Sequence, residues 1–119
     1  MESPWGLGMG GAQNLGNGLS AVVEHRGGVL TYVLRGDIDV ANIGTLEERL
    51  VAAASVADER VDLDMSAVGF VDSTGIRGLI DVARALEASG GRLRIVSASG
   101  QTHRILRLTG LADVLGPEG

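Results

Sequence analysis

The sequence contains no cysteine, which excludes disulfides, thiolate chemistry and cysteine-based metal sites. Aromatic residues make up only 3% of the 119 positions, so a core has to be assembled from Val, Leu, Ile and Ala. No apolar run approaches the roughly 20 residues that a membrane-spanning helix needs. The first residues lack the basic start and apolar block of a secretory signal. Basic charge is scarce as well: the net charge is −5, and no basic stripe is interleaved with aromatics that would stack on bases. These absences lead to the expectation of a cytoplasmic protein that engages neither nucleic acid nor membrane.

What is present describes a folded chain. Hydrophobic residues at 45% against charged residues at 21% give a globular rather than a disordered balance, and the length suits one domain with one core. Residues 1–18 are dense in glycine and lack apolar periodicity, so they are read as a flexible tail preceding a domain over 19–116. Gly6-Leu7-Gly8-Met9-Gly10-Gly11 fits G-x-G-x-x-G. That pattern binds dinucleotides only between a strand and a helix, and neither flanks it here.

Ala21-Val22-Val23-Glu24 and Val29 to Leu34 are short β-branched runs separated by Gly27-Gly28, which reads as a hairpin. Asp37 and Asp39 follow. The later glycine and glutamate of a calcium loop are missing, so a turn and helix-start role is expected for them. A helix is expected over 40–56, with Ile43, Leu46, Leu50, Val51 and Ala54 on its apolar face. Val61-Asp62-Leu63-Asp64-Met65 alternates with period two, as a strand with one polar face does, and leads into a loop over 66–71.

At Asp72-Ser73-Thr74-Gly75 the apolar run stops and a helical pattern begins. Ile76, Leu79, Ile80, Ala83 and Leu86 recur at three and four residues, which predicts a helix with Leu79 and Ile80 in the core and Arg77, Asp81, Arg84 and Glu87 outside. Asp, Ser and Thr before such a run are N-cap residues. Two readings of the hydroxyls stand: Ser73 or Thr74 caps the helix, or Ser73 is a hydroxyl that another enzyme modifies. Nucleophilic catalysis is a poor fit, because no Gly-x-Ser-x-Gly elbow surrounds Ser73 and both histidines, His25 and His103, are remote in sequence. Gly90-Gly91 suits a left-handed helix end, Leu93 to Val96 a strand, Ile105, Leu106 and Leu108 a short helix, and Val114-Leu115 a last strand. The order β-β-α-β-α-β-α-β predicts an α/β fold, a mixed sheet of four to five strands packed against three or more helices.

Five blocks in order resemble the STAS domain of bacterial anti-sigma factor antagonists. They are Gly36-Asp37-Ile38-Asp39, Val61 to Ser66, Phe70 to Ile76, Gly91 to Val96 and Leu106 to Leu111. The resemblance implies a binding protein, not an enzyme, with no cofactor and no metal, monomeric when free. It implies Ser73 as phosphoacceptor, with Thr74 as the alternative, and a partner-binding face at Asp39, Asp72, Ser73, Thr74, Gly75, Ile76 and Arg77. Its partners are then an anti-sigma factor that is also a serine kinase, and a phosphatase that resets Ser73. The family also implies a further C-terminal helix, where this sequence reads Gly116-Pro117-Glu118-Gly119. A non-switched STAS adaptor in a signalling or transport assembly and a nucleotide-binding STAS domain are the alternatives, the latter without a phosphate loop ending in Gly-Lys-Ser/Thr.

Overall fold

The structure is a computed structural model and describes residues 12–57, 60–98, 100 and 102–104. In chain order the elements are β1 (Gln13–Gly16), β2 (Leu19–Arg26), β3 (Val29–Ile38), α1 (Ile43–Ala57), β4 (Arg60–Val71), α2 (Ser73–Ala88) and β5 (Arg92–Ala98). Residues 100 and 102–104 are helical. The five strands form one sheet in the order β1-β2-β3-β4-β5. β1, β2 and β3 pair antiparallel, whereas α1 and α2 carry the chain between parallel neighbours β3, β4 and β5.

Register explains which face is buried. Val23, Tyr32, Leu63 and Ile95 are paired across four strands, and Leu30, Val61 and Leu93 form the next row. All of these side chains are buried beneath α1 and α2. The other face is mixed: Thr31, Asp62 and Arg94 form a polar row, and Val22 and Val33 lie in the row with Asp64. On that face Arg60 forms an ion pair with Asp62 at 2.9 Å. The β-branched, aromatic-poor composition thus yields a sheet with one aliphatic face, as the period-two pattern requires.

The hairpin at Gly27-Gly28 forms as expected, with φ of 52° and 82° in a turn that closes Arg26 on Val29. The end of α2 is likewise as read. Gly91 N donates to Leu86 O at 2.8 Å and Gly90 N to Glu87 O at 3.1 Å, the bonding of a Schellman motif around left-handed Gly90.

Four expectations are corrected. The flexible tail does not extend to Gly18: β1 lies within it, and Leu15 is only 1% exposed. Its hairpin with β2 turns through Asn17 and Gly18, both with positive φ. The expected loop over 66–71 is the continuation of β4, because parallel pairing with β3 runs to Ile38 and Val71. α1 begins at Ile43 rather than residue 40, and buries Ile43, Leu46, Leu50 and Ala53 while Val51 is exposed. On α2, Leu79 is in the core, but Ile80 is only partly buried and Val82 takes the expected place. The tail over residues 1–11 and the expected elements at 105–108 and 114–115 lie outside the described residues. Among the described residues no helix is long and apolar enough to cross a membrane.

Candidate functional site

The parallel register assembles the site. Ile38 and Val71 are the last paired residues of β3 and β4, so Asp39 and Asp72 leave the sheet side by side at its carboxyl edge. Asp72 N donates to Ile38 O at 3.1 Å and closes that corner. Ligand sites of α/β sheets lie at such edges, beyond the carboxyl ends of adjacent strands.

Asp72 does two jobs with one carboxylate. Its Oδ1 accepts from Gly75 N at 2.7 Å, which makes Asp72 the N-cap of α2. Its Oδ2 accepts from Val40 N at 3.2 Å and ties the cap to the loop after β3. Asp39 is fixed in parallel fashion: Oδ1 accepts from Ala41 N at 3.0 Å and Oδ2 from Asn17 Nδ2 at 2.6 Å. This is the turn and helix-start role expected of it, since Asp39 O also accepts from Ile43 N at 2.9 Å as α1 begins. Both carboxylates are therefore held by amides and do not swing freely.

Ser73 follows as the first residue of α2, exposed, with no hydrogen bond from its hydroxyl among the described residues. Expectations of Ser73 or Thr74 as the cap are corrected by this geometry, because the Asp72 carboxylate already occupies the capping position. Thr74 and Arg77 are exposed beside it. Gly75 and Ile76 are buried, Ile76 with part of its side chain lining the groove beside Ser73 and Arg77. A Cβ on Gly75 would stand 2.9 Å from Ile38 Cγ2 and from Val71 Cγ1, so glycine lets the helix start close against the sheet edge. Of the expected partner-binding group, Ser73, Thr74 and Arg77 are exposed, Asp39 and Asp72 are half-buried, and Gly75 and Ile76 are buried.

Two residues that the sequence did not bring forward complete the site. Asn42 is fully buried, its Oδ1 accepting from Asp39 N at 2.9 Å and its Nδ2 donating to Asp37 O at 2.9 Å and Gly16 O at 3.2 Å. It fastens the Asp39 loop to β3 and to the β1–β2 turn. Val40 stands 70% exposed between Asp39 and the Asp72 carboxylate. Nothing in the sequence separates Asn42 from a surface asparagine, but Asn17-Gly18 is a hairpin signal that would have found the turn it grips. Among the described residues no group of three or more His, Asp or Glu is placed to hold a metal ion.

Comparison with known proteins matches this arrangement to a family. The STAS domain model covers residues 20–118. The anti-sigma-B factor antagonist of Bacillus subtilis is 32% identical over 83 residues, which is 69% of this chain and 74% of that protein. The anti-sigma-F factor antagonist RsfA of Mycobacterium tuberculosis is 29% identical over 101 residues, 83% of this chain and 79% of that protein. A crystal structure of an anti-sigma factor antagonist from Mycobacterium paratuberculosis superposes with a TM-score of 0.68 at 27% identity, covering 98% of this chain and 91% of the other. The chain belongs to the STAS domain family.

Proposed function

We propose that this protein is an anti-sigma factor antagonist whose binding is switched by phosphorylation at Ser73. With the Ser73 hydroxyl free, it binds an anti-sigma factor in the cytoplasm and so releases a sigma factor for transcription. The anti-sigma factor is also a serine kinase: the Ser73 oxygen attacks the γ-phosphorus of ATP, the bridging oxygen leaves with ADP, and the hydroxyl proton is lost. A phosphatase hydrolyses the phosphoester and resets the hydroxyl. The protein itself acts as a binding module rather than an enzyme.

The observation that carries this reading is the position of Ser73. It is exposed at the first turn of a helix whose cap is supplied by another residue, so the hydroxyl is free to react without undoing the helix start. A phosphate brings about −1.5 to −2 charge and three acceptor oxygens, and a helix N-terminus tolerates an anion. The same charge lands beside the Asp72 and Asp39 carboxylates and the exposed Val40 surface. A partner that packs on Val40 and meets a neutral hydroxyl would have to bury or repel three negative groups, so binding is lost while the fold is kept.

Incubation with a candidate anti-sigma kinase and ATP, followed by mass spectrometry and a pull-down, tests the switch. Ser73→Ala should take up no phosphate and still bind, Ser73→Asp should fold but bind poorly, and Thr74→Ala should still be phosphorylated. Phosphate retained on Ser73→Ala and lost on Thr74→Ala would move the acceptor to Thr74. No modification of any variant, with binding unchanged, would leave a non-switched adaptor instead.

A further inference from the structure

Ser73, Arg77, Asp81 and Arg84 line one open groove of about 630 Å³ along the outer side of α2, with Ile76 and Ile80. Ser73 and Arg77 are four residues apart on a helix, which makes them neighbours one turn from each other on the same ridge. Arg77 is exposed and, among the described residues, has neither an ion pair nor a hydrogen bond. Asp81 does not suit it well, because an acid four residues C-terminal to a base is the weaker order for a helical pair. Asp81 has Arg84 three residues further on in the favoured order, although the two form no ion pair among the described residues. The guanidinium of Arg77 is unengaged among the described residues, and an anion at position 73 would precede it in the favoured order.

We propose that Arg77 is a built-in counter-ion for phosphate on Ser73, its guanidinium reaching back one turn to donate two N–H groups to the phosphate oxygens. The inference rests on the reading of Ser73 as phosphoacceptor and adds a residue that sets how the modified state behaves. The charged groups around that phosphate are Asp72 and Asp39 from the two strand-end loops and Arg77, Asp81 and Arg84 from α2. Asp72 and Asp39 are pinned by Gly75, Val40, Ala41 and Asn17 and cannot turn away from the new charge. Arg77 is the one cation of this group within a single helical turn of Ser73. A fork of two charge-assisted bonds would hold the phosphate against the first turn of α2. Oxygens engaged by Arg77 are also less open to a phosphatase.

The test uses the full chain with phosphoserine installed at position 73 during translation, so no kinase is involved. Phosphorus NMR across a pH series reads the second ionisation of the phosphate. Arg77→Gln should raise that pKa by about 0.15–0.4 unit, the strength of an i,i+4 ion pair with the one charge gained in that ionisation. Arg77→Lys should recover at least half of the shift, and Arg84→Gln should leave the titration unchanged. The difference should shrink in high salt, since the pair is exposed. The same pKa in the parent and in Arg77→Gln, or an equal shift from Arg84→Gln, overturns the assignment. Failure of every kinase to modify Ser73 would remove the switch and leave this result standing. An unchanged titration would remove the counter-ion and leave the switch standing.

Discussion

Asn42 uses one side chain to hold three backbone segments: the Asp39 amide, the Asp37 carbonyl and the Gly16 carbonyl. Asn42→Ala strips all three at a fully buried position, and each polar group left unpaired costs about 1–3 kcal/mol. We expect urea denaturation to show a loss of at least about 2 kcal/mol, with weaker partner binding because the Asp39 loop is released. A neutral result would mean that water replaces the amide without cost. The α2 N-terminus offers a sharper comparison between adjacent residues. Asp72→Ala should cost about 0.5–2 kcal/mol as the lost cap. Ser73→Ala should fall within roughly 0.5 kcal/mol, because its hydroxyl holds nothing. Equal costs in chemical denaturation would show that Ser73 shares the capping role.

Between elements, the α1–α2 contact is set by a glycine. A Cβ on Gly78 would collide with the Ile43 side chain and stand 2.6 Å from Glu47 Oε2, whereas a Cβ on Gly44 meets nothing within 4 Å. The same substitution should therefore have opposite signs. Gly78→Ala should destabilise by about 1–3 kcal/mol through overpacking. Gly44→Ala should stabilise by about 0.4–1 kcal/mol, since it lies in helical backbone. A pair of thermal melts decides it. Glu47 carries a second consequence of this contact: burial first, and then the Asp81 carboxylate, raise its carboxyl above the ordinary range. The folded state thus holds that proton more tightly than the unfolded chain, so the stability Glu47 contributes is present at low pH and lost as pH rises through the raised value. Glu47→Gln, neutral throughout, should melt higher than the parent at pH 7 and lose that advantage below about pH 4. A gap that persists at low pH would trace it to packing instead.

These elements also show what the sequence could and could not convey. The alternation Val61-Asp62-Leu63-Asp64-Met65 announced β4 because one of its faces is aliphatic, and Leu79 was found by helical spacing. Phe70 is 49% exposed, so the far end of β4 shows no one-sided pattern and reads as loop; only pairing with β3 makes it a strand. Ile76 was placed on the buried face by the same spacing, whereas the burial of Gly75 follows from how α2 sits on the sheet edge, a fact of tertiary packing. Asn42 became visible only when three distant segments were placed around it.

For the molecule as a whole, the first hairpin is a working part of the domain. β1 places Leu15 in the core and Asn17 on the Asp39 carboxylate. Leu15→Ala should cost about 2–5 kcal/mol, as a buried leucine does, and removal of residues 1–18 should cost at least as much. Both should also weaken partner binding, because the truncated chain loses a ligand of Asp39. Unchanged melting and binding after truncation would show that β1 is dispensable.

The parallel pairing of Ile38 with Val71 has a consequence in time rather than in space. Asp39 and Asp72 become neighbours only after α1 has formed its crossover and β4 has docked on β3, a contact between residues more than thirty positions apart. Non-local contacts of this kind form late and are lost early, because loop closure has to be met before they return anything. A nascent chain that has not yet released Val71 from the ribosome has no acceptor turn to offer. A chain in which that pairing has opened loses the bonds of Asp72 to Val40 and Ile38 and no longer sets the two acids side by side. If the proposed partner reads the two acids together, only a chain with β4 docked on β3 offers it that surface.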